Sequence, residues 1–180
     1  MGWLHRETAS IERRCNIMYA PRRLQGNFVL KDEKYGTNII TKGALSCCGQ
    51  YDFSVSYFGE LRTDWRGNVS IFPQYDALAL TAKCKVCGKE IQVFNSFTDG
   101  YDNCVNKTEL QSMPAMSMFP CSRCSSDYFS IEQTFEYQSR EELEEEGVQE
   151  YENAFSWIWV SLTCTTCKKL FKNLVDLETS

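Results

Sequence analysis

The chain of 180 residues contains one histidine, four prolines and no glycine-rich phosphate loop. A single histidine, His5, cannot supply an HExxH motif, and no Ser-His-Asp set is recognised in the sequence, so the sequence predicts a protein that is not an enzyme. No stretch approaches the roughly 20 consecutive apolar residues that a membrane-spanning helix needs. We therefore expect no membrane as partner, and we expect His5 to be an exposed residue rather than a ligand.

The first residues of the chain also lack the features of a secretory signal. Residues 1–7 contain no apolar run, and no small-residue cleavage site follows them. We therefore expect a cytoplasmic location, where thiols stay reduced. In a reducing compartment, closely spaced cysteines indicate metal ligands or redox centres rather than disulfides.

Charge is unevenly distributed along the chain. Residues 1–46 carry eight Lys or Arg against four acidic residues, whereas residues 47–180 carry eleven against twenty. An acidic body repels a phosphate backbone, which favours another protein as the partner. The alternative partner, a nucleic acid, would contact the two arginine pairs of the basic N-terminal segment. These pairs are Arg13-Arg14 and Arg22-Arg23.

Cysteine, in contrast, is abundant and ordered. Eight of the ten cysteines form four close pairs: Cys47-Cys48, Cys84-x-x-Cys87, Cys121-x-x-Cys124 and Cys164-x-x-Cys167. Zn²⁺ prefers four tetrahedral ligands, and two short cysteine turns far apart in the chain are a usual form of a structural zinc site. The sequence therefore predicts two structural zinc ions, one held by the first two pairs and one by the last two.

The first pair departs from this pattern because its cysteines are adjacent. Two alternatives to Cys47 stay open: Cys104 supplies the fourth ligand, or three cysteines hold an ion with an open position. An open zinc site needs a nearby base, and the single histidine, His5, is far from the pairs in the sequence, which favours structural zinc. Redox catalysis is disfavoured, since strand patterns rather than a helix start flank the pairs.

The cysteine pairs lie in two segments that align with each other. Phe-Ser followed by a β-branched residue begins five residues after Cys48 and again five residues after Cys124. The second pairs are each followed by a lysine two positions on, Lys89 and Lys169. Shared residues outside the cysteines predict an internal repeat.

Two cysteine turns joined through a small antiparallel sheet resemble the zinc-ribbon family, and the resemblance covers residues 44–180 as two copies. It implies a mainly β fold of two zinc-ribbon-like antiparallel sheet units with a short helical insert. We expect a basic segment and first strand at residues 1–43, unit 1 at 44–103, a linker at 104–118 and unit 2 at 119–180.

The apolar pattern predicts the elements of each unit. Alternation of apolar and polar residues predicts strands at 53–57 and 129–137. Residues 155–162 are apolar on both faces, so we expect a central strand that is covered on both sides. The spacing of Ser139 and Glu142 is that of a capping box and predicts a short helix between strands.

Function is predicted less directly than architecture. Residues 97–103 combine Asp-Gly with a tyrosine and a second aspartate, and we expect an Asx-type turn that closes unit 1. The sequence as a whole predicts a zinc-stabilised, non-enzymatic protein that binds another protein. Its acidic character is similar to that of immunity, inhibitor or regulatory proteins of bacteria and phages. The alternative is a nucleic-acid-binding or transcription-associated protein.

Overall fold

Strands dominate the computed structural model, which describes residues 19–100 and 115–179, and the mainly β prediction is confirmed. The strands are β1 (Phe28–Tyr35), β2 (Ile39–Leu45), β3 (Phe53–Phe58), β4 (Glu60–Thr63), β5 (Val69–Phe72), β6 (Ala79–Cys84), β7 (Glu90–Asn95), β8 (Ser117–Met118), β9 (Tyr128–Tyr137), β10 (Phe155–Cys164) and β11 (Leu170–Glu178). The helices are α1 (Ser96–Asp99) and α2 (Arg140–Glu145), and two short 3₁₀ helices span Arg22–Leu24 and Tyr151–Asn153.

Of the eleven strands in the described residues, nine belong to one antiparallel sheet. Its main path runs β1-β2-β9-β3-β6-β7, with β10 and then β11 on the other side of β9 and with β8 beside β3. The strands β4 and β5 form a separate hairpin. Hydrogen bonds therefore join the two cysteine-rich segments, while the predicted unit boundaries at residues 44–103 and 119–180 stay a prediction.

The two segments meet where β3 and β9 pair. Phe53 lies opposite Phe129, and these residues hold the same position in the two aligned segments. Both rings are fully buried, and Phe129 packs against Phe119 and Phe171 with ring centroids 5.4 and 6.0 Å apart. Aromatic contacts of this kind contribute beyond the area that they bury. The centre of the core is thus shared by both segments.

Each segment also lends a strand to the other. The strand β2 precedes the first cysteine turn but pairs with β9, so that Ala44 lies opposite Glu132. In the same way, β8 precedes the third cysteine turn but pairs with β3, so that Met118 lies opposite Ser56. The exchange is reciprocal. Ala44 and Met118 hold corresponding positions before their cysteine turns, and each lies opposite a corresponding residue of the other segment, although β8 is much shorter than β2.

The strand predicted at 155–162 is central, but its second face is only partly covered. As β10, it pairs with β9 on one side and with β11 on the other. Trp157 and Trp159 point away from the core and are half-buried, with their rings stacked 5.8 Å apart. The expectation of cover on both faces is therefore wrong. The two indoles cover each other, and Trp157 Nε1 donates to Asp176 Oδ1 of β11 at 2.7 Å.

The predicted capping box begins α2. The Glu142 N–H donates to the Ser139 hydroxyl at 3.2 Å, and the Ser139 N–H donates to the Glu142 carboxylate at 3.0 Å. Leu143 is buried and fixes this one-and-a-half-turn helix to the body, so the short insert is confirmed. Among the described residues, no helix has the length and apolar character needed to cross a membrane.

Gly43 of β2 provides a test of the packing beside β9. A Cβ at this position would lie 2.6 Å from Phe28 Cε1, and the Phe28 ring is itself held edge-on against Phe135 at 5.9 Å. We expect Gly43→Ala to lower the free energy of unfolding by about 1–3 kcal/mol through overpacking. Chemical denaturation measures the effect. Gly26→Ala is the matched control because its Cβ meets nothing within 4 Å, and an equal loss in both variants would contradict the packing argument.

Candidate metal centres

Three of the four cysteine turns have the same backbone hydrogen bonds. In each, the first cysteine N–H donates to the carbonyl five residues further on, at 2.9 Å. The residue four positions on donates back to the carbonyl of that cysteine, at 2.8–3.0 Å. We call these turns knuckles; they span residues 84–89, 121–126 and 164–169. This repeated bonding curls the backbone so that both sulfurs of a pair face one point.

The knuckle at Cys47 reaches the same result with two residues fewer. The Cys47 N–H donates to the Gln50 carbonyl at 2.9 Å, and the Gln50 N–H donates back at 2.8 Å. Both central residues have positive φ, 44° at Cys48 and 73° at Gly49, which is typical of tight two-residue hairpin turns. Cys47 therefore occupies the position that Cys121 holds in the other segment. Alignment of Cys48 with Cys124 in the sequence would instead put Leu45 opposite Cys121.

The four knuckles bring the eight predicted ligands together as two sets of four. Within each set the ligand sulfurs all lie within 4.8 Å of one another. The nearest sulfur pairs cross between knuckles. They are Cys47–Cys87 at 3.4 Å and Cys48–Cys84, Cys121–Cys167 and Cys124–Cys164 at 3.6 Å. A zinc tetrahedron with Zn–S bonds of about 2.3 Å has sulfur–sulfur edges of about 3.8 Å, so both sets fit a tetrahedral ion.

Cys47 thus lies in the first set of four sulfurs, and the two alternatives to it as a ligand can be compared with the structure. Cys47, Cys48, Cys84 and Cys87 already supply four sulfurs, which leaves no need for a fifth ligand. Cys104, like Cys15 and His5, lies outside the described residues. The eight clustered cysteines are free thiols rather than disulfides. The geometry is that of two metal-binding modules.

The thiols of each set differ in burial and in pKa. The first cysteine of every pair is buried, while the second is exposed or half-exposed. The backbone N–H groups of Cys87 and Val86 lower the pKa of Cys84 to about 7. Hydrogen bonding to Cys84 raises the pKa of Cys48 to about 12. Neighbouring sulfurs therefore share protons, and a divalent cation would displace those protons on binding.

Lysines surround the knuckles and supply positive charge near the thiols. The ammonium group of Lys85 lies 4.4 Å from the centre of the Tyr128 ring and so links the two segments. Lys168 Nζ donates to the Thr165 carbonyl at 2.7 Å within its own knuckle. Four thiolates around a divalent ion carry a net charge of −2, so nearby ammonium groups reduce the cost of holding both ions.

One shallow groove lies on the outer face of the sheet, near the second metal centre. It has a volume of about 480 Å³ and is lined by residues of β1, β9, β10 and β11, among them Val29, Ser130 and Leu170. Its carboxylate, Glu132, forms ion pairs with Lys31 at 3.1 Å and with Lys42 at 2.8 Å. These lysines lower the pKa of Glu132 although burial opposes them, which makes Glu132 a poor proton acceptor.

The aspartate of the predicted turn at 97–103 has a structural partner. Asp99 is almost fully buried, accepts from Arg23 Nη2 at 2.7 Å and also accepts from the Asn95 N–H at 2.8 Å. Arg23 donates further to the Val93 carbonyl at 3.2 Å. Burial raises the pKa of Asp99 and lowers that of Arg23, so the two charges depend on each other. The rest of the turn, after residue 100, lies outside the described residues.

The neighbouring Arg22 is also engaged within the chain. Its guanidinium forms ion pairs with Glu150 at 3.0 Å and with Glu152 at 2.8 Å. Both arginines of this pair therefore contact carboxylates of the protein itself. The other pair, Arg13-Arg14, lies outside the described residues, and nucleic-acid binding through the N-terminal segment stays a prediction.

Comparison with known proteins gives no match: no family model, no curated protein and no solved structure is similar to this chain. The metal centres are therefore inferred from the geometry of the cysteines alone.

The adjacent arginines allow a matched test of the buried ion pair. Arg23→Ala leaves the Asp99 carboxylate buried without its cation, and breaking such a pair costs about 3–5 kcal/mol of folding free energy. We expect Arg22→Ala to change stability little, because its ion pairs are exposed. Urea denaturation of both variants measures the difference. Equal stability of the two variants would contradict the structural role given to Arg23.

Backbone strain in the second pair of knuckles provides another test. Ser125 has φ of 56°, a conformation that costs residues with a Cβ about 1–2 kcal/mol. We expect Ser125→Gly to raise the free energy of unfolding by about 0.5–1 kcal/mol, since glycine removes this strain but adds freedom to the unfolded chain. Ser125→Ala keeps the Cβ and is the control. Thermal unfolding of the metal-loaded protein should show a gain for glycine alone, and a gain for alanine would exclude strain as the cause.

Proposed function

We propose that this chain is a zinc-stabilised protein that binds another protein and has no catalytic activity of its own. The observation that carries the proposal is the closure of both cysteine sets. Four sulfurs at near-tetrahedral spacing fill the coordination of one ion and leave no position for water or substrate. Zinc is the metal chosen because a tetrahedral set of four thiolates suits it best.

The surroundings of the clusters support a role without catalysis. A catalytic zinc keeps an open position beside a general base. The groups nearest the thiols in the described residues are backbone amides and lysines, and the groove holds a carboxylate that two lysines already neutralise. These features favour a structural role for the metal. The protein would then act by binding a partner through its surface.

We further propose that the chain is a tandem pair of zinc-ribbon units that arose by internal duplication. Equivalent hydrogen bonds support this step. The Lys85 N–H donates to the Asp52 carbonyl at 3.0 Å, and the Thr165 N–H donates to the Tyr128 carbonyl at 3.0 Å. Residues in these two bonds hold corresponding places beside corresponding cysteines. The reciprocal exchange of β2 and β8 supports the same origin.

A protein partner fits the charge of the molecule better than a nucleic acid does. Residues 47–180 carry nine more acidic than basic residues, which repels phosphate. Immunity, inhibitor and regulatory proteins of bacteria or phages are the finer classes that this proposal includes. Affinity capture with the metal-loaded full chain tests the binding part, with the chelator-treated chain as control. Recovery of nothing above that control would contradict it.

Metal content tests the stabilising role directly. We expect native mass spectrometry of the full chain to find two zinc ions, and we expect Cys47→Ser to reduce the number to one. Cys104→Ser is the matched control and should keep two ions. Structural zinc contributes about 10–16 kcal/mol of apparent binding free energy in zinc-finger peptides, so a chelator should abolish the cooperative melting transition. Loss of an ion in Cys104→Ser, or unchanged melting after chelation, would contradict the proposal.

A further inference from the structure

The hairpin of β4 and β5 stands apart from the main sheet. Every residue of β4 is exposed, whereas β5 places Val69 and Ile71 in the core, where it packs against β11. Gly59 begins the hairpin with φ of 149°, and a Cβ there would lie 2.7 Å from the Phe72 carbonyl oxygen. The hairpin is thus fixed at its base by β5 and projects its turn, residues 64–68, into solvent.

Hydrogen bonds hold that turn in one conformation. Asp64 Oδ1 accepts from the N–H groups of Arg66 at 2.8 Å and Asn68 at 2.9 Å, and Asp64 Oδ2 accepts from Asn68 Nδ2 at 2.8 Å. The Gly67 N–H donates to the Asp64 carbonyl at 3.0 Å. A turn that is already ordered loses little conformational entropy when it binds a partner.

The fixed turn presents Trp65 and Arg66. The Trp65 side chain is 86% exposed, the largest exposure among the large hydrophobic residues that the structure describes. The Arg66 guanidinium lies over its ring, 4.4 Å from the centroid. Tryptophan is highly buried in most proteins, so an ordered and exposed indole is informative. It makes no contribution to the core that would account for its presence.

Among the described residues, the charges at the tip leave one cation without an ion pair. Arg62 is paired with Glu60 at 2.6 Å, and the Asp64 carboxylate is satisfied by the turn. Arg66 forms no ion pair with any of the described residues. A complementary surface would therefore supply an apolar pocket for the indole and a carboxylate for Arg66.

We propose that Trp65 and Arg66 form the anchor of the protein–protein interface: the indole enters an apolar pocket of the partner protein, and Arg66 pairs with a carboxylate at its rim. This inference rests on the proposed binding function and adds the surface that carries it. Tryptophan and arginine are the residue types most enriched among interface residues that dominate binding energy.

Two other classes of partner fit the tip less well. Stacking of nucleic-acid bases on an indole needs a positively charged groove for the backbone, whereas Glu60 and Asp64 both closely precede Trp65 within an acidic body. Insertion into a membrane surface needs a broad apolar face with basic residues, which a single indole does not provide.

Photo-crosslinking from the hairpin tip tests the proposal. Benzoylphenylalanine is placed at position 65 or, as control, at position 75 of the full zinc-loaded chain in its own cells. Tyr75 is a matched site because it is also an exposed aromatic residue, 78% exposed, outside the hairpin. We expect a protein crosslinked from position 65 and not from position 75. Mass spectrometry identifies it, and the crosslinked peptide should contain apolar residues and a carboxylate.

The identified protein is then purified and its affinity for four variants is measured. We expect Trp65→Ala to weaken binding about 30-fold or more, Trp65→Phe to weaken it less, and Arg66→Gln to weaken it several-fold. Tyr75→Ala should bind as the wild type does. Melting temperatures should match in all four, because the replaced side chains are exposed. For any variant with a lowered melting temperature, the crosslinking result decides the proposal instead of the affinity.

The outcomes separate the hairpin from the binding function. A partner that crosslinks only from position 75, or that binds Trp65→Ala as tightly as wild type, overturns the hairpin assignment and leaves the proposed function standing. No crosslink and no captured protein overturns both. Trp65-dependent binding to a 20-residue oligo-dT, or to vesicles of phosphatidylglycerol and phosphatidylcholine, overturns the protein class of the partner.

Discussion

The meeting of distant cysteine sulfurs is the constraint on which this structure depends. Cys47 and Cys87 lie 40 residues apart, as do Cys124 and Cys164, yet each pair of sulfurs comes within 3.6 Å. Each cysteine-rich half is small, and a core of that size is marginally stable without further links. An ion bound by four thiolates would close a long loop in each half and supply the missing stability.

The two halves depend on each other for their strand pairing. Because β2 pairs with β9 and β8 pairs with β3, neither half completes its sheet alone. The shared contact of Phe53 and Phe129 lies between the two metal centres and belongs to both. Loss of one ion would consequently loosen a knuckle that also positions a strand of the other half. The two cysteine-rich halves are therefore interlocked by strand pairing and are not separate bodies joined only by a linker.

Local sequence signals were sufficient to group the eight cysteines into two sets of four and to predict the alternating strands and the capping box at Ser139. They were insufficient for the exchange of β2 and β8, because strand pairing between distant segments leaves no trace in local periodicity. The shortened first knuckle also escaped alignment, since Leu45 matched Cys121 by position while Cys47 matched it by hydrogen bonding. The half-exposed face of β10 could not be read from its apolar residues, because two stacked indoles protect each other there.

The two halves differ in structure at the inserts between their corresponding strands. The segment between β3 and β6 contains the β4–β5 hairpin, and the equivalent segment between β9 and β10 contains α2. Helix α2 buries Leu143, so this insert contributes to the core. In the hairpin, by contrast, an ordered turn presents the exposed Trp65. An insert that packs into the core and an insert that displays an ordered side chain are the kind of difference that two copies of one framework would acquire by divergence.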